Sequence, residues 1–282
     1  MDVLALPREM HVWADRARQR GERIGFVPTM GYLHDGHLSL VREAQRRTDR
    51  CVVSIFVNPL QFGPSEDLAR YPRDLERDAA HLRAAEVDVL YLPQAADMYP
   101  EGFQTDVTVN AVTRGLCGTA RPEHFRGVTT VVAKLFNAVK PHVAVFGMKD
   151  FQQLVAIRRM VMDLDFDVEI VGAPIVRERD GLAMSSRNAY LSPAERVAAQ
   201  SLSRALSEAA SLARCGERRA SAVTAHVHAV LAAEPLVRVD YVEMVDPDTL
   251  QSVSELTGSA LLALAVFVGR TRLIDNALLA VS

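Results

Sequence analysis

The chain has 282 residues, of which 49% are hydrophobic and 24% are charged, a balance that is typical of a globular protein with a substantial core. The formal net charge of −3 argues against general binding to nucleic acid or to an anionic membrane. The longest apolar run, residues 260–268, is too short to span a bilayer, and the first residues contain no apolar segment of signal-peptide length. The three cysteines are widely spaced, as in reduced proteins, and we therefore expect a cytoplasmic protein.

Hydrophobic periodicity predicts strands that alternate with helices over the first 175 residues. The predicted strands are 24–28, 51–57, 87–92, 142–146 and 168–171, and the predicted helices are 8–20, 38–47, 74–86, 128–139 and 150–163. The β-branched run at 51–57 is typical of a central parallel strand that is covered on both faces. Pro28 is expected to end the pairing of the first strand, because proline has no N–H to donate. The pattern predicts an α/β fold, a doubly wound, Rossmann-like parallel sheet with right-handed crossovers.

Two parts of the chain depart from this alternation. Residues 94–127 lack strong periodicity and are interpreted as a long excursion, which is commonly functional. The pattern after about residue 175 predicts helices at 193–214 and 217–232 and strands at 237–245, 260–268 and 272–276. We therefore predict two domains, with residues 1–175 forming the parallel sheet and residues 176–282 forming a smaller C-terminal α+β lid.

The stretch from Ile24 to His37, IGFVPTMGYLHDGH, combines a short apolar strand, a glycine-containing loop and the start of a helix. Unpaired N–H groups and the helix dipole at such a junction favour anions such as phosphate. His34 and His37 lie there, and each is able to donate a hydrogen bond to a phosphate oxygen. Two histidines three residues apart are also commonly incidental or cap a helix, and without a nearby cysteine they do not indicate zinc. The fingerprint G-x-G-x-x-G is absent from this stretch, which argues against a dinucleotide site.

A second strand–glycine–helix junction, at 146–150, contains Lys149. Only three of the 32 Lys and Arg residues are lysine, so a lysine here indicates more than a solvated surface cation. Its compact ammonium suits a phosphate oxygen. Asp150 either caps the helix that follows or contacts the ligand. Either Gln152 or Gln153, on the first turn of that helix, is expected to face the cleft.

Two further segments contain candidate residues. In the loop at 181–188, GLAMSSRN, the hydroxyls of Ser185 and Ser186 and the guanidinium of Arg187 are suitable partners for a triphosphate. A Ser-Ser-Arg sequence by itself is more commonly a plain surface loop. Arg126 precedes a predicted helix, where it either meets a carboxylate or phosphate or lies exposed, and the motif alone does not decide between these.

An acidic stretch surrounds the start of the helix predicted at 74–86. Its members are Glu66, Asp67, Asp74, Glu76 and Asp78. Carboxylates near a helix N-terminus interact favourably with the helix dipole, so a solvated face is expected. Contact with Mg²⁺ is the less favoured alternative.

Six segments are distributed over nearly the whole chain: PTMGYLHDGH, VNPLQFGPSEDLARYPR, RPEHFRGV, VFGMKDFQQL, DGLAMSSRNAYLS and RLIDN. Together and in this order they resemble the pantoate–β-alanine ligase (pantothenate synthetase) family, and the first resembles the nucleotide signature of the adenylyl-transferring superfamily that includes class I aminoacyl-tRNA synthetases. The departures are small: Asp35 replaces a commoner glutamate, Glu123 a usual glycine, and Met148 a residue that is often polar. A non-glycine residue is disfavoured at positive φ, so glutamate in place of glycine at position 123 restricts the conformation of the loop before Arg126.

The resemblance implies ATP-dependent joining of (R)-pantoate to β-alanine through a pantoyl adenylate, with release of AMP and pyrophosphate. ATP is then a substrate, Mg²⁺ is expected to accompany it, and the protein ligands of that ion are left unassigned. The partners are these small molecules, with no nucleic acid or membrane, and the family implies a homodimer. Residues 1–175 would bind ATP and pantoate.

The resemblance also implies residue roles. His34 and His37 would neutralise phosphates, with His37 as the donor during adenylate formation. Lys149 would hold phosphate oxygens, and residues 185–187 would bind pyrophosphate. The implied ATP-binding residues are Met30, Gly31, His34, Gly36, His37, Gly147, Met148, Lys149, Asp150, Val176, Met184, Ser185, Ser186 and Arg187. The implied contacts to pantoate or β-alanine are Gln61, Gln153 and Arg126.

Two other functions remain alternatives. One is a nucleotidyltransferase that keeps AMP on its product and has no amine site. The other is a nucleotide-binding regulatory module without turnover, which would not need two phosphate loops. Release of AMP from ATP that depends on an amine separates the ligase from both.

Overall fold

The computed structural model describes residues 1–64 and 66–280, and within them the chain forms a six-stranded sheet and a separate three-stranded sheet. The strands of the larger sheet are β1 (Asp2–Leu4), β2 (Ile24–Thr29), β3 (Arg50–Ile55), β4 (Val89–Tyr91), β5 (Val143–Gly147) and β6 (Glu169–Ala173). The helices of the first 175 residues are α1 (Pro7–Gln19), α2 (Asp35–Gln45), α3 (Leu75–Ala84), α4 (Ala95–Met98), α5 (Cys117–Ala120), α6 (His124–Val139) and α7 (Phe151–Asp163). Short 3₁₀ turns span Pro59–Gln61, Met148–Asp150 and Ser186–Tyr190.

All neighbouring strands of the larger sheet are parallel, in the order β1-β4-β3-β2-β5-β6. The chain winds outwards from β2 through β3 to β4, and later outwards from β5 to β6, so the winding direction changes between β2 and β5. In such sheets, ligands bind outside the carboxyl ends of the strands at this switch point. The predicted doubly wound α/β fold is confirmed, and the short, largely exposed strand β1 is an addition to the prediction.

Pro28 does not end the pairing of β2, and that prediction is wrong. β2 pairs with β3 as far as Thr29, with Pro28 opposite Ser54, whereas its ladder with β5 stops at Phe26. Consecutive residues of a strand turn their N–H and C=O groups to opposite neighbours, and the carbonyl of Thr29 accepts from Phe56 N on the β3 side. The missing N–H of Pro28 therefore faces β5, where no ladder bond is required of it. The ladder between β2 and β5 thus ends before the carboxyl edge, at the switch point.

Both faces of the larger sheet are covered by helices, as its continuous apolar strands require. On one face, Phe26, Val52 and Ala144 pack with buried residues of α1, α6 and α7. On the other face, Val27 and Val53 pack with buried residues of α2 and α3. Alternate side chains of each strand therefore enter different cores, and this fixes the helices on either side of the sheet.

The chain divides into two compact units that each draw on several segments. The first unit comprises Met1–Asn110, Arg121–Met148 and Gln153–Pro174. The second comprises Ala111–Ala120, Lys149–Gln152 and the chain from Ile175 onward. The excursion at 94–127 therefore contributes to both units. α6 begins at His124, four residues before the predicted start, because its first turn has no apolar periodicity to mark it.

The second unit packs two helices against an antiparallel sheet. Its elements are α8 (Pro193–Arg214), α9 (Ala220–Ala232), β7 (Val237–Val245), β8 (Ser259–Val268) and β9 (Thr271–Ala280). β8 lies in the centre and is antiparallel to both neighbours. The predicted cap of α8 is confirmed, since Ser192 Oγ accepts from Glu195 N at 3.3 Å and Ser192 N donates to Glu195 Oε2 at 2.9 Å.

Candidate active site

The histidine pair lies at the start of α2, immediately beyond the carboxyl end of β2. His34 is the N-cap, and α2 begins at Asp35, three residues before the predicted start. Nδ1 of His34 accepts from Gly36 N at 3.2 Å, Nδ1 of His37 accepts from His34 N at 3.3 Å, and the ring centroids are 4.1 Å apart. Because both Nδ1 atoms accept, each neutral ring carries its proton on Nε2 as an N–H donor. Capping and phosphate binding, the two interpretations of these histidines, therefore use different ring nitrogens.

The loop that carries these histidines is held by α3. Asp78, only 1% exposed, accepts from Tyr32 N at 2.6 Å and from Leu33 N at 2.7 Å. The prediction that Asp78 belongs to a solvated acidic face is wrong, because it lies on the buried side of α3. Asp74 and Glu76 are exposed in the first turns, as predicted, and Asp74 caps the helix.

Gln61 follows β3 in the first unit, and its side chain is held from two directions. Its Oε1 accepts from Asn58 Nδ2 at 3.1 Å, and its Nε2 donates to Met30 Sδ at 3.1 Å. Asn58 is 1% exposed and also accepts from the Tyr99 hydroxyl at 2.8 Å. Burial raises the pKa of Tyr99, so this hydroxyl remains a donor. The buried network fixes the amide of Gln61 beside Met30. Both residues are among the predicted site residues.

The main chain at Gln61 is held against α6. Its carbonyl accepts from Arg121 at 3.2 Å and lies 2.8 Å from His124 Nδ1. Arg121 also makes two hydrogen bonds to Glu66, at 2.5 and 2.7 Å. Burial would raise the pKa of Glu66, but the hydrogen bonds and charge of Arg121 outweigh it and lower that pKa. A network of charged and polar groups thus joins the loop after β3 to the start of α6.

A glycine in α6 allows this close approach. A Cβ at Gly127 would lie 2.3 Å from the Leu60 carbonyl oxygen and 2.7 Å from Gln61 N. The Gly127 carbonyl also accepts from Asn58 Nδ2 at 3.0 Å. The main chains of α6 and of the turn at 59–61 are therefore in direct contact, which sets the position of Gln61.

Arg126 is exposed on α6 and forms an ion pair with Glu123, one turn earlier. Glu123 has φ −91° and ψ −10°, an ordinary helical conformation. The strain considered for a non-glycine residue at this position is therefore absent from the described structure. The departure from the family pattern instead supplies Arg126 with an anionic neighbour.

Lys149 lies in the 3₁₀ turn between β5 and α7, after Gly147 and Met148. Its carbonyl accepts from Asn276 Nδ2 at 2.9 Å, and Asn276 is only 5% exposed. The neighbouring Asp275, 2% exposed, forms two hydrogen bonds with Arg177, at 2.6 and 3.0 Å. Asn276 therefore holds the Lys149 turn, and Asp275 holds Arg177 in the segment before the serine loop (residues 181–188). All of these residues belong to the second unit.

The two glutamines at the start of α7 have different surroundings. Gln152, 6% exposed, donates to the carbonyls of Val112 and Gly115, at 3.0 and 2.8 Å, and accepts from Cys117 N at 3.0 Å. Its amide is thus committed to the segment at 112–117. Gln153 is half-buried on the same turn, and of the two glutamines it is the one compatible with the predicted ligand contact.

The serine loop forms a tight hairpin in the second unit. Met184 N donates to the Val176 carbonyl at 3.0 Å, and Ser185 Oγ accepts from Arg187 N at 3.3 Å. Ser186 is 7% exposed and begins the 3₁₀ turn. Asn188 anchors the turn to the Glu178 carboxylate at 2.7 Å. The hydroxyls and Arg187 are therefore presented by an ordered turn.

Two cavities lie elsewhere in the first unit. A cavity of about 520 Å³, lined by Trp13, Arg20, Arg50 and neighbouring residues, lies at the amino ends of β3 and β4, and one of about 450 Å³ lies beside β1. Neither contains a predicted site residue. Among residues 1–64 and 66–280, no group of three or more His, Cys, Asp or Glu side chains is placed to hold a metal ion. In the same part of the chain, no helix is long and apolar enough to cross a membrane.

Comparisons with known proteins agree with the motifs. The profile of the Pantoate-beta-alanine ligase family matches residues 2–278. The pantothenate synthetases of Syntrophobacter fumaroxidans and Heliobacterium modesticaldum are each 57% identical to this chain, over 99% and 98% of both chains respectively. The chain belongs to the pantoate–β-alanine ligase family.

Solved structures of the ligase family share the whole fold. The crystal structure of pantothenate synthetase from Thermus thermophilus has a TM-score of 0.94 and 49% identity, and covers 98% of this chain and 99% of that one. The Francisella tularensis ligase, in a complex with beta-gamma ATP and β-alanine, has a TM-score of 0.80 and 31% identity, over 99% and 97% of the two chains. The full-length match confirms the predicted fold and family.

Several residues that shape the candidate site were missed by sequence reasoning. They are Tyr32, Asn58, Arg121 and Gly127, to which the misassigned Asp78 is added. The Asn-Pro-Leu-Gln segment gave one available signal, since Asn before proline commonly begins a turn that its side chain closes. The partners of Asp78 and Arg121 lie more than 40 residues away in sequence, and no local pattern identifies them.

Proposed function

We propose that this member of the ligase family activates (R)-pantoate with ATP as pantoyl adenylate and transfers the pantoyl group to β-alanine. The pantoate carboxylate attacks the α-phosphorus of ATP, and the bond from that phosphorus to the bridging oxygen breaks as pyrophosphate leaves. The amine of β-alanine then attacks the carbonyl of the mixed anhydride, loses a proton and displaces AMP. A carboxylate is a poor acyl donor, so the adenylate supplies the leaving group. Positioning and charge neutralisation provide most of the catalysis.

The observation that carries this proposal is the histidine pair at the N-terminus of α2, beside the switch point of the sheet. Its Nδ1 atoms are occupied by the main chain, so the Nε2–H groups are the donors that suit phosphate oxygens. The helix dipole adds positive potential at the same place. In this proposal His37 donates to the α-phosphate as charge builds up during adenylate formation, and His34 neutralises a neighbouring phosphate.

The remaining phosphate contacts come from the Lys149 turn and the serine loop. The Lys149 ammonium holds phosphate oxygens, and Ser185, Ser186 and Arg187 bind the departing pyrophosphate. The main chain near Met184 and Val176 lies against the nucleotide. The ordered turn at Ser185 supports this assignment, because a preorganised donor stabilises developing charge without reorganisation.

Pantoate is held by amides in this proposal. Gln61, fixed between Asn58 and Met30, suits the hydroxyls and carboxylate of pantoate, and it also reaches β-alanine. Gln153 supplies the second amide. Arg126 exchanges its ion pair with Glu123 for a substrate carboxylate. Neutral amides orient the acid without competing with its attack on phosphorus.

Mg²⁺ enters with ATP in this proposal. The described carboxylates and histidines do not form a cluster that fits a resident metal ion. Phosphate oxygens and water are common ligands of Mg²⁺ in nucleotide sites. No step is therefore assigned to a protein-bound metal.

The larger organisation follows from the same proposal. Residues 1–175 bind ATP and pantoate, and residues 176–282 act as a lid that excludes water from the anhydride. Hydrogen exchange at 181–188 that is unchanged by ATP plus pantoate would count against closure. We also propose a cytoplasmic homodimer, and a monomer mass in sedimentation at micromolar concentration would reject the dimer.

The deciding experiment is isotope exchange. With pantoate present and β-alanine absent, the enzyme is expected to exchange labelled pyrophosphate into ATP, because adenylate formation is reversible. Omission of pantoate should abolish the exchange, and addition of β-alanine should release AMP with formation of the amide. Exchange that does not need pantoate, or an absence of AMP release with β-alanine, would favour the nucleotidyltransferase alternative.

A further inference from the structure

The loop between β2 and His34 is held in an unfavourable main-chain conformation. Gly31 has φ 83° and the next residue, Tyr32, has φ 51°. A tyrosine in the left-handed region is destabilised unless the surroundings fix it there. Strain of this kind at the entrance to a proposed phosphate site indicates that the direction of the loop matters for function.

One carboxylate holds this strained turn. Asp78 uses one oxygen for Tyr32 N, at 2.6 Å, and the other for Leu33 N, at 2.7 Å. Hydrogen bonds from N–H groups to a carboxylate are stronger than those between neutral groups. A Cβ at Gly31 would lie 3.2 Å from Asp78 Oδ2 and 2.9 Å from Ile55 Cγ2, so the loop is pressed against α3 and β3.

The residue before Asp78 completes the attachment. Arg77 donates to the Leu33 carbonyl at 2.7 Å, and its guanidinium carbon lies 4.5 Å from the centre of the Tyr32 ring. The N–H and the C=O of Leu33 are therefore both bonded to side chains of α3. His34, the next residue, is the N-cap of α2, so α3 sets the direction from which the histidine pair enters the site.

We propose that Asp78 is a positioning residue for adenylate formation, supported by Arg77. It acts through the 31–33 loop and fixes His34 and His37 relative to the phosphates, without touching a substrate. This inference rests on the proposed role of the histidines in the first half-reaction. It predicts that the loss of Asp78 slows adenylate formation and spares the attack of β-alanine on a preformed adenylate.

The first test is Asp78→Asn, which keeps the side-chain shape and turns one accepting oxygen into an NH₂ group facing a main-chain N–H. We expect the maximal rate of pantoate-dependent pyrophosphate exchange to fall about 100-fold, as for a misplacement on the order of 1 Å. Conversion of supplied pantoyl adenylate by β-alanine should stay within about threefold of the parent. A purely structural role would lower both rates together.

Asp88→Asn is the matched control. Asp88 also accepts from a main-chain N–H, of Cys51 at 2.8 Å, and from Arg50 at 2.9 Å, but it lies at the amino ends of the strands. It should reduce thermal stability and leave both half-reactions unchanged. If Asp78→Asn does not fold, Arg77→Gln serves instead, with an expected loss of about tenfold in exchange alone.

The outcomes distinguish a failure of the proposed function from a failure of the positioning role of Asp78. If the parent enzyme shows no pantoate-dependent exchange, the proposed function fails. If the parent exchanges, and the folded variants slow both half-reactions equally or neither of them, the positioning role of Asp78 is refuted. A loss confined to adenylate formation in the Asp78 or Arg77 variant, with Asp88→Asn unaffected, supports it.

Discussion

Replacement of Gly127 by alanine tests whether α6 sets the position of Gln61, the amide that we propose binds pantoate. The added Cβ would lie 2.3 Å from the Leu60 carbonyl oxygen, whereas real contacts of this kind are rarely shorter than 3.0 Å. The turn at 59–61 must therefore retreat by at least about 0.7 Å, the difference between these distances, because the obstacle is main chain and not a flexible side chain. Gln61 moves with this turn.

The expected effects on stability and on catalysis differ. Alanine is favoured over glycine within a helix by about 1 kcal/mol. Overpacking typically costs about 1–3 kcal/mol and here strains the Asn58–Gly127 hydrogen bond as well, so we expect net destabilisation of about 1–2 kcal/mol. A shift approaching 1 Å in a positioning group lowers the rate on the order of 100-fold, so kcat/KM for pantoate should fall far more than this stability loss alone explains.

The assay compares steady-state kinetics for pantoate and ATP with thermal unfolding of the same protein. Gly258→Ala is the control, because a Cβ there meets no atom within 4 Å. The Gly127 variant should raise the KM for pantoate or lower kcat while binding ATP as the parent does. A kcat/KM for pantoate that stays within about twofold of the parent would show that the packing of α6 does not control the position of Gln61.

Lys149→Ala should leave the fold intact and cost on the order of 3 kcal/mol of transition-state stabilisation, whereas Lys140→Ala, which breaks an ion pair with Asp15, should leave kcat unchanged. Turnover of folded Lys149→Ala within a few-fold of the parent would exclude the role. Burial, assisted by the Arg18 and Arg23 charges, lowers the pKa of His142 below 6.5, and its neutral Nδ1 accepts from Ile24 N at 2.9 Å. As the pH falls, the unfolded chain therefore binds the proton before the folded chain does. The free energy of unfolding that is present above pH 6.5 should decline as the pH falls through the lowered pKa. His142→Asn, which keeps a hydrogen-bond acceptor, should flatten this part of the pH profile measured by urea unfolding.

The fold was predictable because its strands and helices carry local signals. Continuous apolar runs such as Cys51–Val53 mark strands buried on both faces, and the cap at Ser192 marks the start of α8. The sequence could not show which neighbouring strand lacks a ladder hydrogen bond at Pro28, since that depends on which strands lie on either side of β2. Helix starts were placed too late at α2 and α6, because their first turns contain polar residues and glycine.

The candidate site could be proposed from the sequence where a motif carries its own chemistry, as at His34, His37 and Lys149, and the roles of these residues stay predictions. It was not predictable where a side chain acts through the main chain of a distant segment. Asp78 looks like one of several carboxylates at a helix start until the loop at 31–33 is folded onto it. Gln152 and Gln153 are equivalent in the sequence, and only the segment at 112–117 distinguishes them.

The interleaving of the two units has a consequence for inheritance. The chain passes between them after residues 110, 120, 148, 152 and 174. Recombination at residue 175 would deliver a C-terminal piece without the segments that contact Tyr241, Arg272 and the amide of Asn276. Such a piece is expected to fold and function only in a recipient whose residues 111–120 and 149–152 match it. The C-terminal part is therefore expected to descend together with the rest of the gene and not as a portable module.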